Sequence, residues 1–301
     1  MSELKKQLQS GGFAVTAEMA PPKGCDFTEV LETARLLKGC VQGVNVTDMQ
    51  SASLKASSLG LCIHLKQAGL DPILQITGRD RNRMAILADV LAASSFGIDT
   101  ILALTGDHPV VGDCKDAKPV YDLDSVGILR MLSRVEETGC DCGGNPLTGP
   151  APAIFKGATV TPVYEPVELQ IHKLRRKVDA GAAYIQTQGI FDTDSLNRFL
   201  DAVDRAGINV PIMAGIIPLK SAPMARYMNE NVPGIAVPQD QIDALAQAKA
   251  EGRKPSEAGL EMAACLIRQI RDQGRCRGVH IMAIGAEKNV PTILTRAGIN
   301  G

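Results

Sequence analysis

Ile101-Leu102-Ala103-Leu104-Thr105-Gly106-Asp107-His108-Pro109 decides how the rest of the chain is read. A run of apolar or small residues from Ile101 to Thr105 has the look of a strand buried on both faces. Gly106 then lets the backbone turn, Asp107 is left at the strand's carboxyl end, and Pro109 stops further pairing. In an α/β barrel the carboxyl ends of the strands form the reactive face, so a carboxylate there reads as functional. The competing reading is a turn cap, a common use of Asp. The segment alone leaves both open.

Working outward, short apolar runs alternate with amphipathic helical stretches. Strands are expected at 13–18, 41–47, 73–77, 101–105, 154–160, 183–188, 211–217 and 278–284. Helices are expected at about 27–38 and 52–68, and over Met84, Leu87, Ala88, Leu91 and Ala92, whose spacing is i, i+3, i+4, i+7, i+8. Further helices carry Leu123 to Leu132, Ile171 to Val178 and Leu196 to Val203. A helix-rich segment follows over 221–275, broken around Gly252 to Pro255, and a last helix over about 287–297. Eight strands, each followed by helix, imply parallel pairing and a closed (β/α)8 architecture of the α/β class, that is, a TIM barrel in a single domain over 1–301. The open doubly wound alternative should carry a Gly-rich phosphate loop, and neither GxGxxG nor a Walker pattern occurs. Residues 139–152, dense in Gly, Pro, Asn and Asp, read as an exposed loop within that domain.

Composition narrows the function classes. Lys plus Arg number 32 and Asp plus Glu 33, with no long block of one sign, so neither nucleic acid nor a membrane surface is an expected partner. Trp is absent and Phe and Tyr are few, which argues against a base-stacking platform. No apolar run approaches the roughly 20 residues that span a bilayer, and the polar start Met1 to Lys6 precedes no apolar signal region. A soluble, cytoplasmic protein is expected. The eight cysteines are scattered, and only Cys140-Asp141-Cys142 is close-set; reduced thiols are expected and no metal site.

The strand ends carry Glu18, Thr47, Thr77, Asp107 and Gln188. Two carboxylates among amides and hydroxyls suit proton transfer. Glu18 is flanked by Ala17, Met19 and Ala20, and an apolar setting disfavours a carboxylate, as a general acid requires. The alternative for Glu18 is pairing with a Lys or Arg elsewhere in the fold.

Ala17-Glu18-Met19-Ala20-Pro21-Pro22-Lys23 resembles the first-strand motif of the methylenetetrahydrofolate reductase family. Val44 to Thr47, Leu104 to Pro109, Lys118 to Tyr121, Leu174 to Ala182, Gln186 to Asp192 and Gly215 to Pro218 resemble later family motifs, in family order. The resemblance implies a barrel that binds a flavin, FAD with FMN as the alternative. It implies reduction of 5,10-methylenetetrahydrofolate to 5-methyltetrahydrofolate by hydride from the reduced flavin. By the same resemblance Glu18 matches the general acid and Asp107 the carboxylate near flavin and pterin. Gln188 and Thr47 match substrate-binding positions. Thr47, Gln75, Thr105, Gly106, Asp107, Tyr121 and Lys177 match cofactor-binding positions, Lys177 near the flavin's phosphates.

Three stretches depart from the family pattern. Thr105 stands where Arg is frequent before Gly-Asp. Thr159 to Pro166 replaces a Tyr-Pro-x-x-His-Pro motif, and Leu219 to Ala222 lacks the Phe on which nicotinamide stacks in the well-studied bacterial type. The first two leave the adenylate half of FAD open. The third, with the 139–152 loop and its cysteines, points to an electron-donating partner protein rather than direct use of NADH, and to a chain that works in an oligomer or complex. Two other classes compete: a Schiff-base lyase, for which Lys156 is the one lysine on an expected strand, and a non-catalytic flavin- or folate-binding subunit.

Overall fold

A computed structural model describes residues 1–299. Its strands are β1 (Ala14–Met19), β2 (Gly43–Val46), β3 (Pro72–Thr77), β4 (Thr100–Leu104), β5 (Phe155–Val160), β6 (Tyr184–Ile190), β7 (Ile212–Ile216) and β8 (Gly278–Ile281). They pair in parallel in chain order, and β8 closes on β1 through the Ala14–Gly278 to Ala17–Ile281 register. This is the expected TIM barrel. The helices are α1 (Glu3–Gln9), α2 (Thr28–Arg35), α3 (Ser58–Gln67), α4 (Arg83–Ser95), α5 (Ser125–Thr138), α6 (Val167–Asp179), α7 (Thr193–Arg205), α8 (Ala222–Asn231), α9 (Gln239–Ala250), α10 (Pro255–Gln273) and α11 (Val290–Arg296).

Local chemistry fixes several ends. Asn82 and Asp124 cap α4 and α5 by accepting from the backbone N–H of Ala85 and Gly127. Gly139 ends α5 in the left-handed region at φ 63°. Several expected boundaries move by a few residues, and three of them are informative. The eighth strand stops at Ile281 rather than Ile284, because Ile284 turns out of the sheet at φ 47°. The second helix starts at Ser58, not residue 52, because Met49, Ser51 and Ala52 all adopt positive φ. The 221–275 segment has a further break at 232–238, where Pro233, Gly234 and Pro238 stand, beside the expected one before Pro255.

Side chains alternate along each strand, so every second residue enters the barrel. At the amino end of the strands the interior is apolar. Ala14, Ile73, Leu102, Phe155, Tyr184 and Met213 pack there with Leu4 and Leu8 of α1, a helix that the sequence reading did not anticipate and that plugs this end. Gly157 makes the room: a Cβ there would lie 2.2 Å from the Tyr184 ring. Higher up β1, β2, β6 and β8 the interior becomes polar, with Thr16, Asn45, Gln186 and His280 all buried. Above that layer the barrel opens.

Candidate active site

The opening is a cavity of about 620 Å³ at the carboxyl ends of the strands, within the size range of small-molecule sites. Glu18, Gln75, Thr105, Gly106, Asp107, Lys177 and Gln188, all singled out from sequence, line it together. Thr47 and Tyr121 do not. Thr47 faces an adjoining cavity of about 620 Å³, divided from the first by Glu18 and Gln50, which line both. Its Oγ1 is buried without a hydrogen-bond partner among the described residues. Tyr121 stands behind the wall and donates its hydroxyl to the Gly106 carbonyl at 3.2 Å.

Glu18 comes from the last turn of β1's inward face. Its Oε1 accepts from Gln50 Nε2 at 3.2 Å and its Oε2 from Gln75 Nε2 at 3.3 Å, while His280 Nε2 lies 3.6 Å from Oε2. The apolar setting read from Ala17, Met19 and Ala20 is therefore not what surrounds the carboxyl. Those residues alternate with or follow Glu18 along the chain, and its neighbours in space are amides and an imidazole supplied by β3, β8 and the 48–55 segment. Among the described residues no Lys or Arg pairs with it, so the structural ion-pair reading falls away.

Asp107 is exposed at the mouth. No described group donates to its carboxylate; Arg79 Nη1 donates to its backbone carbonyl at 3.3 Å instead. A turn cap would spend the carboxylate on nearby N–H groups, so the geometry favours a group held free for a ligand. Gly106 is required here. Its φ is +89°, and a Cβ would lie 2.9 Å from Arg79 Cβ and 3.1 Å from Thr77 Cβ. Thr105 Oγ1 accepts from Ser125 N–H at the start of α5, tying β4 to that helix.

One side of the cavity is basic. Lys173 and Lys177 project from one face of α6 at i, i+4 spacing. Lys177 Nζ donates to the Thr159 carbonyl at 2.6 Å. Burial, reinforced by the Lys173 charge and opposed by Asp124, pulls its ammonium down to about 8. Two cations at one end of a cavity suit a phosphate. Gln188 Oε1 accepts from Gly189 N–H, which leaves its Nε2 free to donate into the cavity.

Sequence reasoning missed Asp48, Arg79 and His280, which also line the cavity. The fully buried Asp48 carboxylate accepts from Thr77 N–H and Oγ1, Ser58 Oγ and the Arg81 guanidinium. Arg79, 2% exposed, pairs with Asp80 and props the Asp107 turn. Asp48 and Arg79 stand just past β2 and β3, the one available signal for them, whereas His280 lies within β8 and carried none. Lys156 points the other way: it leaves the barrel interior, pairs with Glu136 and lines no part of the cavity, which removes the basis for a Schiff-base lyase. The 139–152 loop also contributes nothing to the lining. It lies along the outer wall, with Cys142 Sγ 3.9 Å from the Arg83 carbonyl and 3.4 Å from Met131 Sδ.

The family model for methylenetetrahydrofolate reductase matches residues 3–298. The chain belongs to that family. A probable methylenetetrahydrofolate reductase (NADPH) of Caenorhabditis elegans is 26% identical over 253 residues, 83% of this chain and 34% of that protein. Methylenetetrahydrofolate reductase 1 of Schizosaccharomyces pombe is 31% identical over 231 residues, 76% of this chain and 36% of that protein. The chain thus spans about a third of the length of these relatives. A solved structure of a Clostridium thermocellum protein, described as binding two copies of 5-methyl-5,6,7,8-tetrahydrofolic acid, has a TM-score of 0.64 at 13% identity. It covers 99% of this chain and 100% of its own, a likeness of fold. The described lining of this reductase-family cavity contains no Phe, Tyr or Trp. Phe191 is packed in the core beneath α8 to α10, and Tyr227 is exposed on α8.

Proposed function

We propose that the chain is a flavin-dependent reductase that converts 5,10-methylenetetrahydrofolate to 5-methyltetrahydrofolate. The observation that carries this reading is Glu18. It is a carboxyl held by two amide donors at the mouth of a barrel, in the same cavity as a carboxylate without a donor and a pair of lysines. Family membership and the folate-binding structural neighbour support the substrate class.

The residues fit a flavin. Lys173 and Lys177 would hold its phosphates. Gly106, where any side chain would strike Arg79 and Thr77, would allow close approach of a flat ring, and Gln75 and Thr105 offer polar contacts beside it. When bound, the flavin supplies the hydride. Glu18 gives a proton to an imidazolidine nitrogen of the folate, so the ring opens to a cationic iminium. Asp107 stabilises that cation through its charge. Gln188 Nε2 donates to the pterin and fixes its orientation, and Thr47 Oγ1 binds the part of the ligand that reaches the adjoining cavity.

FAD is the favoured flavin, with FMN as the alternative. Electrons arrive from a partner protein. Two features support this: the described cavity lining lacks an aromatic face for nicotinamide, and the apolar residues Leu54, Val110, Val111 and Val120 are exposed on the segments that follow β2 and β4. The eight free cysteines suit a cytoplasmic home, and no described helix is long and apolar enough to cross a membrane.

The test is anaerobic. The purified chain should carry a flavin, identified by mass after extraction. Once bleached by dithionite, it should regain its yellow colour on adding methylenetetrahydrofolate. Bound flavin that stays bleached would make the chain a binding subunit. Rapid bleaching by micromolar NADH alone would refute the partner protein.

A further inference from the structure

The polar layer below the cavity does more than fill the barrel. Asn45 Nδ2 donates to Gln186 Oε1 at 2.8 Å. Gln186 Nε2 donates to Asn45 Oδ1 and to Thr16 Oγ1, both at 3.1 Å, and so uses both of its hydrogens. Thr16 Oγ1 therefore accepts from Gln186, and its own hydrogen needs an acceptor. His280 Nδ1 lies 3.0 Å away and supplies one. With Nδ1 accepting, the neutral imidazole carries its proton on Nε2, the nitrogen that stands 3.6 Å from Glu18 Oε2.

That distance is beyond a hydrogen bond, and such contacts tighten when substrate closes a site. Oε2 already accepts from Gln75, while Oε1 faces a single donor, Gln50. Once His280 Nε2 closes on Oε2, that oxygen has two donors and Oε1 one, and the two oxygens of Glu18 become unequal. In the protonated acid, the oxygen with two donors serves as the carbonyl and the other carries the hydrogen.

We infer that His280 is a positioning residue. The chain Asn45–Gln186–Thr16 fixes its tautomer, its Nε2–H and Gln75 hold Glu18 Oε2, and the transferable proton is thereby placed on Oε1. The inference rests on the reading of Glu18 as general acid. It uses residues that contact no reacting atom: Thr16 and His280 lie 264 positions apart in sequence and meet only because β1 and β8 close the barrel.

The experiment uses the full chain with its flavin and labels histidine with nitrogen-15. The chain has four histidines, so the His280 signals are assigned by their loss in His280→Leu. The expected spectrum is a neutral ring protonated at Nε2, and Thr16→Val should convert it to a mixture of tautomers. In stopped flow, His280→Leu should slow reoxidation of the reduced flavin by methylenetetrahydrofolate about tenfold, with flavin content and dithionite reduction unchanged. His280→Gln, whose amide can place an N–H near the same point, should recover most of that loss. A ring protonated at Nδ1, or a wild-type rate in His280→Leu, would overturn the inference even if the wild type turns over. Failure of the wild type itself to be reoxidised would overturn the functional reading instead, and the role given to His280 with it.

Discussion

The same eight strands make two different interiors. At their amino ends Leu4, Leu8, Phe155, Tyr184 and Met213 close an apolar plug. Two to four residues further on, the inward positions are Thr16, Glu18, Asn45, Gln75, Gln186 and His280. Since alternate residues of a strand face the same way, a shift of one period carries the barrel from apolar packing to a hydrogen-bonded network. The plug stabilises the fold and asks little of geometry beyond volume. The mouth costs stability, because its amides and carboxyl must be desolvated and held in place. Substitutions at the two ends should therefore separate stability from activity.

The largest effects should fall on opposite properties. Glu18→Gln should slow folate reduction by about 10²-fold or more, with flavin binding and melting temperature little changed. Leu4→Ala, at a position with no exposed surface, should lower the unfolding free energy by about 2–5 kcal/mol in a denaturant titration. Its turnover per folded molecule should stay at the wild-type value. Asp107→Asn should come next. Removing one charge at an exposed mouth should reduce folate turnover about tenfold and shift the flavin's midpoint potential. If both stay put while the melting temperature falls, Asp107 is a turn cap.

The smallest effect concerns the basic side. Lys177, held near 8 by burial and by Lys173, is charged below that pH and neutral above it. A bound phosphate favours the charged form. Flavin affinity of the flavin-free chain should therefore be full below pH 8 and fall by up to about tenfold per unit above it. Lys177→Met should bind more weakly and lose this dependence in an equilibrium titration.

Why the strands were legible and α1 was not has a simple cause. A strand buried on both faces writes itself as an unbroken apolar run between turn formers, as Ile101 to Gly106 does. Helix α1 contributes only Leu4 and Leu8 amid polar residues, too little to mark a helix by period. The expected helix begins at residue 52 because Ser, Ala and Leu from there on are compatible with helix. The actual path there is set from afar: Gly112 lets Ala52 pack so closely that a Cβ on Gly112 would sit 1.9 Å from the Ala52 carbonyl. Among the lining residues, those that stand at a strand end, such as Glu18, Asp107 and Gln188, could be named in advance, and Gln75 came from the family resemblance. His280, Asp48 and Arg79 could not. Their roles come from Thr16, Arg81 and Asp80 around them, and the partners of His280 and Asp48 are reached across strands or loops. Thr47 was placed at the right strand but opens into the adjoining cavity, a distinction made by the Glu18 and Gln50 side chains.

The most direct test compares the two ends in one assay. Wild type, Leu4→Ala and Glu18→Gln, each with reduced flavin, are mixed with one equivalent of methylenetetrahydrofolate in the cold, where all three remain folded. The 5-methyltetrahydrofolate formed is followed in time. Equal rates for wild type and Leu4→Ala, with Glu18→Gln slower by about 10²-fold or more, is the expected result. Product formed by Glu18→Gln at the wild-type rate would contradict the assignment of the mouth as the seat of proton transfer.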